Sequence, residues 1–421
     1  MPVGQRKKSR HAATDSARAM ELKERKVSTS RVTFAQAAKR FWLPVVLIAA
    51  LASIAGPAPA QQSQAWTWTP ETVDKTGKAM KIKVDTLGNV HLSYGTDDGV
   101  WKYAFQAAGT KRWDTMDVGP GGVSYLDLTL DKDQSPVMCE TYRVLRYAKL
   151  VGSKWIVQEL DTDGAPIGFG CAIAVAPDGT PHITWYKEKG ADHVSPYLHL
   201  KYASLEEGVW LIHTLDFDTQ TGKWDSIAVD SKGVPHAAYD SFVDGRMKYA
   251  VRTGTGKDWD VQVVDGRKMN DVEYNYGMGN SLVLDAQGHA HIAYYTTHSM
   301  RYAAQTANGW DVHVIADAAP LGSWLDFRSS IVLDKAGYPH VAYQDGAAIK
   351  HAWFDGKAWH VQIVIPPGSD ENRYPAMAID QNDHLYLAYR DPTDKSVKVA
   401  VGVRSDAPQT AIAAPVKPGT K

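Results

Sequence analysis

Two sets of side chains in this sequence have types and placements suited to ligand chemistry, and both interrupt an otherwise regular pattern. Arg143, Arg246, Arg328, Arg373 and Arg390 fall at one end of different repeat units. Guanidinium forks bind carboxylates bidentately, so a converging group of them favours an acidic sugar such as a uronic or sialic acid. The competing reading pairs each arginine with a neighbouring acid such as Asp326, Asp370, Glu371 or Asp391, which has little consequence at a surface. The second set is aromatic. Tyr125, Phe169, Trp224 and Tyr374 stand at or near the position six residues before the residue that closes a repeated strand, while Tyr276 and Trp324 sit in enlarged connections. An exposed flat ring there suits stacking on a sugar, and packing between repeat units is the alternative role.

Acid–base chemistry has fewer candidates. β-Elimination beside a uronate needs a carboxylate neutraliser, a base and an acid, which Arg, His and Tyr can supply. His193 or His199 with Tyr142 or Tyr276 is the pair such a lyase would use. A paired-carboxylate glycosidase would draw on Glu140, Glu188, Asp240 or Asp345, with nothing in the sequence to rank them. The run Asp216-Phe217-Asp218-Thr219-Gln220-Thr221-Gly222 has its glycine too late for a calcium loop and reads as a polar turn. Phosphate-binding glycine loops, G-x-S-x-G and H-E-x-x-H are absent from the sequence. No metal or cofactor is expected.

These residues must be positioned by a repeat. An apolar residue, then Lys or Arg, then usually Tyr, then Ala recurs seven times, from Trp101-Lys102-Tyr103-Ala104 to Val397-Lys398-Val399-Ala400, with a period of roughly 49 residues. The unit is seen best from Ser226 to Asp265, where a strand ending in Asp230, a tight turn at Gly233 and a strand opening on Pro235-His236 come before the signature, and a strand opening on Trp259 follows it. The predicted fold is all-β: a seven-bladed propeller of four-stranded blades. The last unit lacks its Trp strand, which stands instead at the opposite end as Trp66 to Asp74. Pairing that strand into the last blade would close the ring and remove an open edge.

The units, with Asp-x-x-Gly-x-Pro-His-φ-Ala-Tyr followed by φ-Lys-Tyr-Ala and Trp, resemble those of secreted bacterial propellers related to the sialidase-like and fucose-lectin-like groups. The likeness covers residues 66 to 401. It implies the fold more firmly than an activity. No sialidase Asp box (S-x-D-x-G-x-x-W) is present, and no Glu recurs from blade to blade to build repeated sugar pockets. The expected function is therefore carbohydrate binding at the loop-bearing face. Polysaccharide lyase or glycosidase action there ranks second, and an envelope protein-interaction scaffold third.

Repetition also marks what is scaffold. His91, His182, His236, His291 and His340 recur at one strand position in five units, whereas a catalytic histidine is needed once. Upstream, a basic segment ending at Lys39-Arg40, the apolar run Phe41 to Ala55 and a small-residue stretch closing at Ala60 predict a cleaved export signal over residues 1–60. The expected location is secreted or periplasmic, with no permanent membrane span after cleavage. Beyond residue 60 there are 35 basic and 44 acidic residues, a formal charge of −9, which argues against a nucleic-acid partner. The propeller is expected over 61–403, and the Pro-, Ala- and Thr-rich segment 404–421 as a disordered tail. Cys139 and Cys171 are the only cysteines, and an oxidising compartment predicts a disulfide between them, against the alternative of two buried thiols.

Overall fold

In the computed structural model the described residues are 66–121, 125–142, 144–161, 167–188, 198–218, 220–254, 258–266, 276–317, 328–369 and 373–405. They form seven antiparallel four-stranded sheets. In chain order the blades span residues 78–120, 125–161, 167–216, 221–266, 278–317, 329–365 and 376–404, the last completed by Trp66–Asp74. Strands are lettered A to D from the axis outward. The seven A strands pack side by side, and that of blade 7 returns onto that of blade 1. The predicted closure is present. Trp66–Asp74 lies antiparallel to Val397–Arg404, from Trp66 opposite Arg404 to Asp74 opposite Val397.

The repeated residues build this ring. The Asp that ends strand A folds the A–B turn: Asp85 Oδ1 accepts from the amides of Leu87 at 2.9 Å and Asn89 at 2.8 Å. Gly88 supplies the left-handed φ of 84° at that turn. His91 is hydrogen-bonded to the Tyr103 hydroxyl at 2.7 Å, and His182, His236 and His291 make the same bond to Tyr202, Tyr249 and Tyr302. These four histidines are buried or nearly so, and desolvation holds them below the usual imidazole range, to about 4 at His182. Neutral and tied to tyrosine, they are structural.

Adjacent blades are latched twice. The Tyr of one strand C meets the Trp of the next strand D edge-on, as in Tyr103–Trp155 at 5.2 Å and Tyr202–Trp259 at 5.0 Å. Each such pair contributes roughly 0.5–1.5 kcal/mol beyond its buried area. An Asp at the end of strand D is also gripped by the following blade. Asp216 accepts from Tyr239 at 2.9 Å and Lys248 at 3.0 Å, and Asp265 from Tyr294 at 2.6 Å and Arg301 at 2.9 Å. Asp74 of the closing strand is held in the same way by Tyr94 at 2.6 Å and Lys102 at 3.3 Å. Core clusters accordingly bridge blades, as where Leu200 and Tyr202 of blade 3 meet Ile227 and Tyr239 of blade 4.

The predicted disulfide is formed. Cys139, on strand B of blade 2, is bonded to Cys171, on strand A of blade 3, with Cα atoms 6.4 Å apart. Both cysteines are buried.

Candidate functional site

One end of the axial channel is a pocket to which every blade contributes. Its lining runs from Met80 and Lys81 of blade 1 through Tyr125, Gly170 to Cys171, Lys223 to Asp225, Asn280 and Arg328 to Pro375 of blade 7. The space it offers to water-sized groups is about 50 Å³. That admits a few water-sized groups, hence one carboxylate or sulfate, and falls well short of the roughly 300 Å³ or more of a site that swallows a whole small ligand.

Five of its lining residues come from one row of the repeat, six residues before the end of strand A: Tyr125, Gly170, Trp224, Gly279 and Arg328 in blades 2 to 6, with Tyr374 at the same position in blade 7. Arg328 is central to it. Its guanidinium carbon stands 5.1 Å from the Tyr125 ring centre and 5.2 Å from that of Tyr374, so it makes cation–π contacts with rings from blades 2 and 7. Gly170 and Gly279 take left-handed φ values of 79° and 53°, and Tyr374 adopts 50° at the same position. A tyrosine held there stores strain of order 1 kcal/mol or more, a device common at ligand sites. Arg373 fixes that turn: it is fully buried, and its Nε and Nη2 donate to the Ala347 carbonyl at 2.9 and 2.7 Å.

Trp224 also lines the pocket, and the other predicted residues are dispersed. The Trp224 indole is 9% exposed and packs in a core cluster with Met278, Tyr295 and Tyr343, while its amide donates to Asp240 Oδ1 at 3.1 Å. Tyr276 is buried beneath Arg301, whose guanidinium carbon lies 4.9 Å from its ring centre. His199 donates from Nδ1 to the Asp218 carbonyl at 3.3 Å and sets its ring against Phe217. Tyr276 and His199 thus have separate surroundings in blades 5 and 3. Arg246 pairs with Asp244 at 3.3 Å, and Arg390 with Asp97 at 3.2 Å, neither at the axis. Arg143, His193 and Trp324 lie outside the described residues, as do the side chains of Tyr142 and Phe169.

Sequence reasoning missed the polar partners in the row below. Asp225 accepts from Thr184 Oγ1 at 2.6 Å through Oδ2. Its Oδ1 has no partner and is closed off beneath Gly170, where an added Cβ would stand 2.3 Å away. Although Asp225 as a whole is only half-buried, desolvation of its carboxyl, with Asp127 adding to it, pushes its pKa up to about 7. Across the channel Lys81 faces Asp127 at 3.7 Å. Asn280 donates to the carbonyls of Trp224 at 2.8 Å and Gly277 at 2.9 Å, sewing blade 4 to blade 5. The signal was available as a register contrast, since blades 4, 5 and 6 carry Asp225, Asn280 and Ser329 where blades 1 and 2 carry Met80 and Leu126. Among the described residues no group of three or more His, Cys, Asp or Glu side chains is placed to hold a metal ion.

Asp240 gives a stability test. It is 1% exposed, its Oδ2 has no partner, and burial raises its pKa to about 7. A carboxyl raised above its unfolded value stabilises the fold at low pH and loses that contribution as pH climbs from about 4 through about 7. Asp240→Asn should therefore match the parent protein near pH 4 and gain about 1–2 kcal/mol over it at pH 8. Chemical denaturation at the two pH values measures this, and a variant equally destabilised at both would refute it.

No family model and no curated protein sequence matches the chain. Solved structures do. The BP39L lectin from Burkholderia pseudomallei aligns with a TM-score of 0.60 at 11% identity, covering 80% of this chain and 98% of the lectin. An ulvan lyase bound to -[GlcA(1-4)Rha3S]- aligns at 0.54 and 11% identity, covering 79% and 95% of the two chains. The polysaccharide lyase Uly1 aligns at 0.51 and 11% identity, covering 77% and 90%. At these identities the likeness is one of architecture, and the chain has the fold of the lectin-like and lyase-like β-propellers.

Proposed function

We propose that the protein is an extracytoplasmic carbohydrate-binding propeller whose axial pocket grips the acidic group of a saccharide. The observation that carries this reading is Arg328, whose guanidinium lies over the rings of both Tyr125 and Tyr374 in the lining of a pocket that also contains Lys81 and Lys223. A fixed guanidinium loses little freedom on pairing with a carboxylate or sulfate. The pocket volume matches such a group, leaving the sugar ring at the mouth. The export signal expected from residues 1–60, the disulfide and the lectin-like architecture support the same reading.

Cleavage of the same polymer is the second reading, favoured by the two lyases of like architecture. One experiment separates the two. The protein is passed over immobilised polygalacturonate, alginate and a neutral glucan, and incubated with each in solution while ultraviolet absorbance from unsaturated uronate is followed. Retention on the acidic polymers alone, without a rise in absorbance, is expected. A rise identifies a lyase, and equal retention on the neutral glucan or none on any polymer defeats the proposal.

A further inference from the structure

Asp225 is the one carboxylate among the described residues lining the axial pocket, which also include Lys81, itself facing Asp127 at 3.7 Å, Lys223 and Arg328. Its position is unusual for an ionised group. Thr184 satisfies one oxygen, and the other is sealed under Gly170 with no donor. The charged and titratable groups around it are Asp127 of blade 2, Lys81 of blade 1, and Lys223 and Asp240 of its own blade. No histidine lines the pocket among the described residues.

An anion entering this space meets a site with two stable forms. With Asp225 ionised, its negative charge stands in the pocket lining and repels the incoming anion. With Asp225 neutral, the unpartnered oxygen no longer carries charge and that repulsion is removed. We propose that the axial pocket takes the anionic group of its saccharide together with one proton, carried on Asp225. The step is a simple proton gain: the carboxylate takes H⁺ from solvent or buffer as the ligand enters, and releases it when the ligand leaves. Poise near neutrality makes the gain accessible, because burial already balances the two forms of this carboxyl close to pH 7. The consequence is a site that loads in mildly acidic surroundings and unloads in alkaline ones. This inference rests on the reading of the pocket as an acidic-sugar site.

Isothermal titration with oligogalacturonate, in two buffers of different ionisation enthalpy, counts the protons taken up. Close to one proton per ligand is expected about one pH unit above neutrality, with Kd rising about tenfold per pH unit from there. Asp225→Asn should abolish the uptake and flatten the pH dependence at the acid-side affinity. Thr184→Val, which removes the donor that favours the ionised form, should move the whole profile to higher pH. Binding without proton uptake, or uptake unchanged in Asp225→Asn, overturns this inference and leaves the acidic-sugar reading intact. Failure of oligogalacturonate, oligoguluronate and inorganic sulfate all to bind overturns both.

Discussion

Arg328→Ala is expected to weaken binding of an acidic oligosaccharide by roughly 100-fold, the effect of losing a charge-assisted contact of about 3 kcal/mol. Arg328→Lys should recover part of that and no more. Lysine keeps the charge, but it has neither the planar fork nor the flat surface that contacts the Tyr125 and Tyr374 rings. Thermal unfolding should barely change in either variant, because Arg328 is half-buried at the end of a blade. His236→Ala gives the opposite pattern. Its ring is buried and bonded to Tyr249 inside blade 4, so stability should fall by about 1–3 kcal/mol with the affinity unchanged. Equal losses of stability in both positions, or an Arg328→Ala protein that binds normally, would show that the pocket is merely a packed end of the channel.

Reducing the Cys139–Cys171 bond should lower stability by about 3–4 kcal/mol, the chain-entropy value for a cross-link spanning 32 residues. Guanidinium unfolding of the oxidised and reduced protein measures this directly. A paired Cys139→Ala/Cys171→Ala variant should fall further, through the cavity left between two buried positions. Binding should weaken along with stability in the reduced protein. Cys171 is part of the pocket lining, and Cys139 pairs in register with Asp127, so the bond joins two neighbouring walls of the pocket. A change below about 1 kcal/mol on reduction would mean that the hydrogen bond from the Ile173 amide to Asp127, at 3.0 Å, already suffices to join those walls.

Blade number and closure were legible because repetition is a property of sequence. The φ-Lys-Tyr-Ala copies fall on the seven C strands, from Val100–Gln106 to Val397–Arg404. The missing Trp strand of the last unit pointed to the segment that replaces it. The site was legible only by position. Counting back from the strand-ending residue found Tyr125, Trp224 and Tyr374, and the set of arginines outside the repeat at one end of the units included Arg328. That Tyr125, Arg328 and Tyr374 meet follows from ring closure, which brings blades 2, 6 and 7 round one axis. The fates of the other arginines depend on side-chain direction: Arg373 turns inward to a carbonyl and Arg390 reaches Asp97 on blade 1. A residue count gives neither. Asp225 escaped because its character comes from desolvation, which residue type and spacing do not reveal.

The closing strand also sets an order of events. Trp66–Asp74 is the first segment of the propeller to be synthesised, and its partner Val397–Arg404 is the last. Until the final blade has emerged, the first strand has no sheet to join, and the late-made edge around Val397 stands open to pairing with other chains. Closure thus joins the most distant parts of the chain and comes late in folding. Once made, it works in the other direction. A nick in any single inter-blade loop leaves the ladder between the two ends intact, so the ring holds its shape, and resistance to proteolysis and heat becomes a matter of how slowly one peripheral strand peels away.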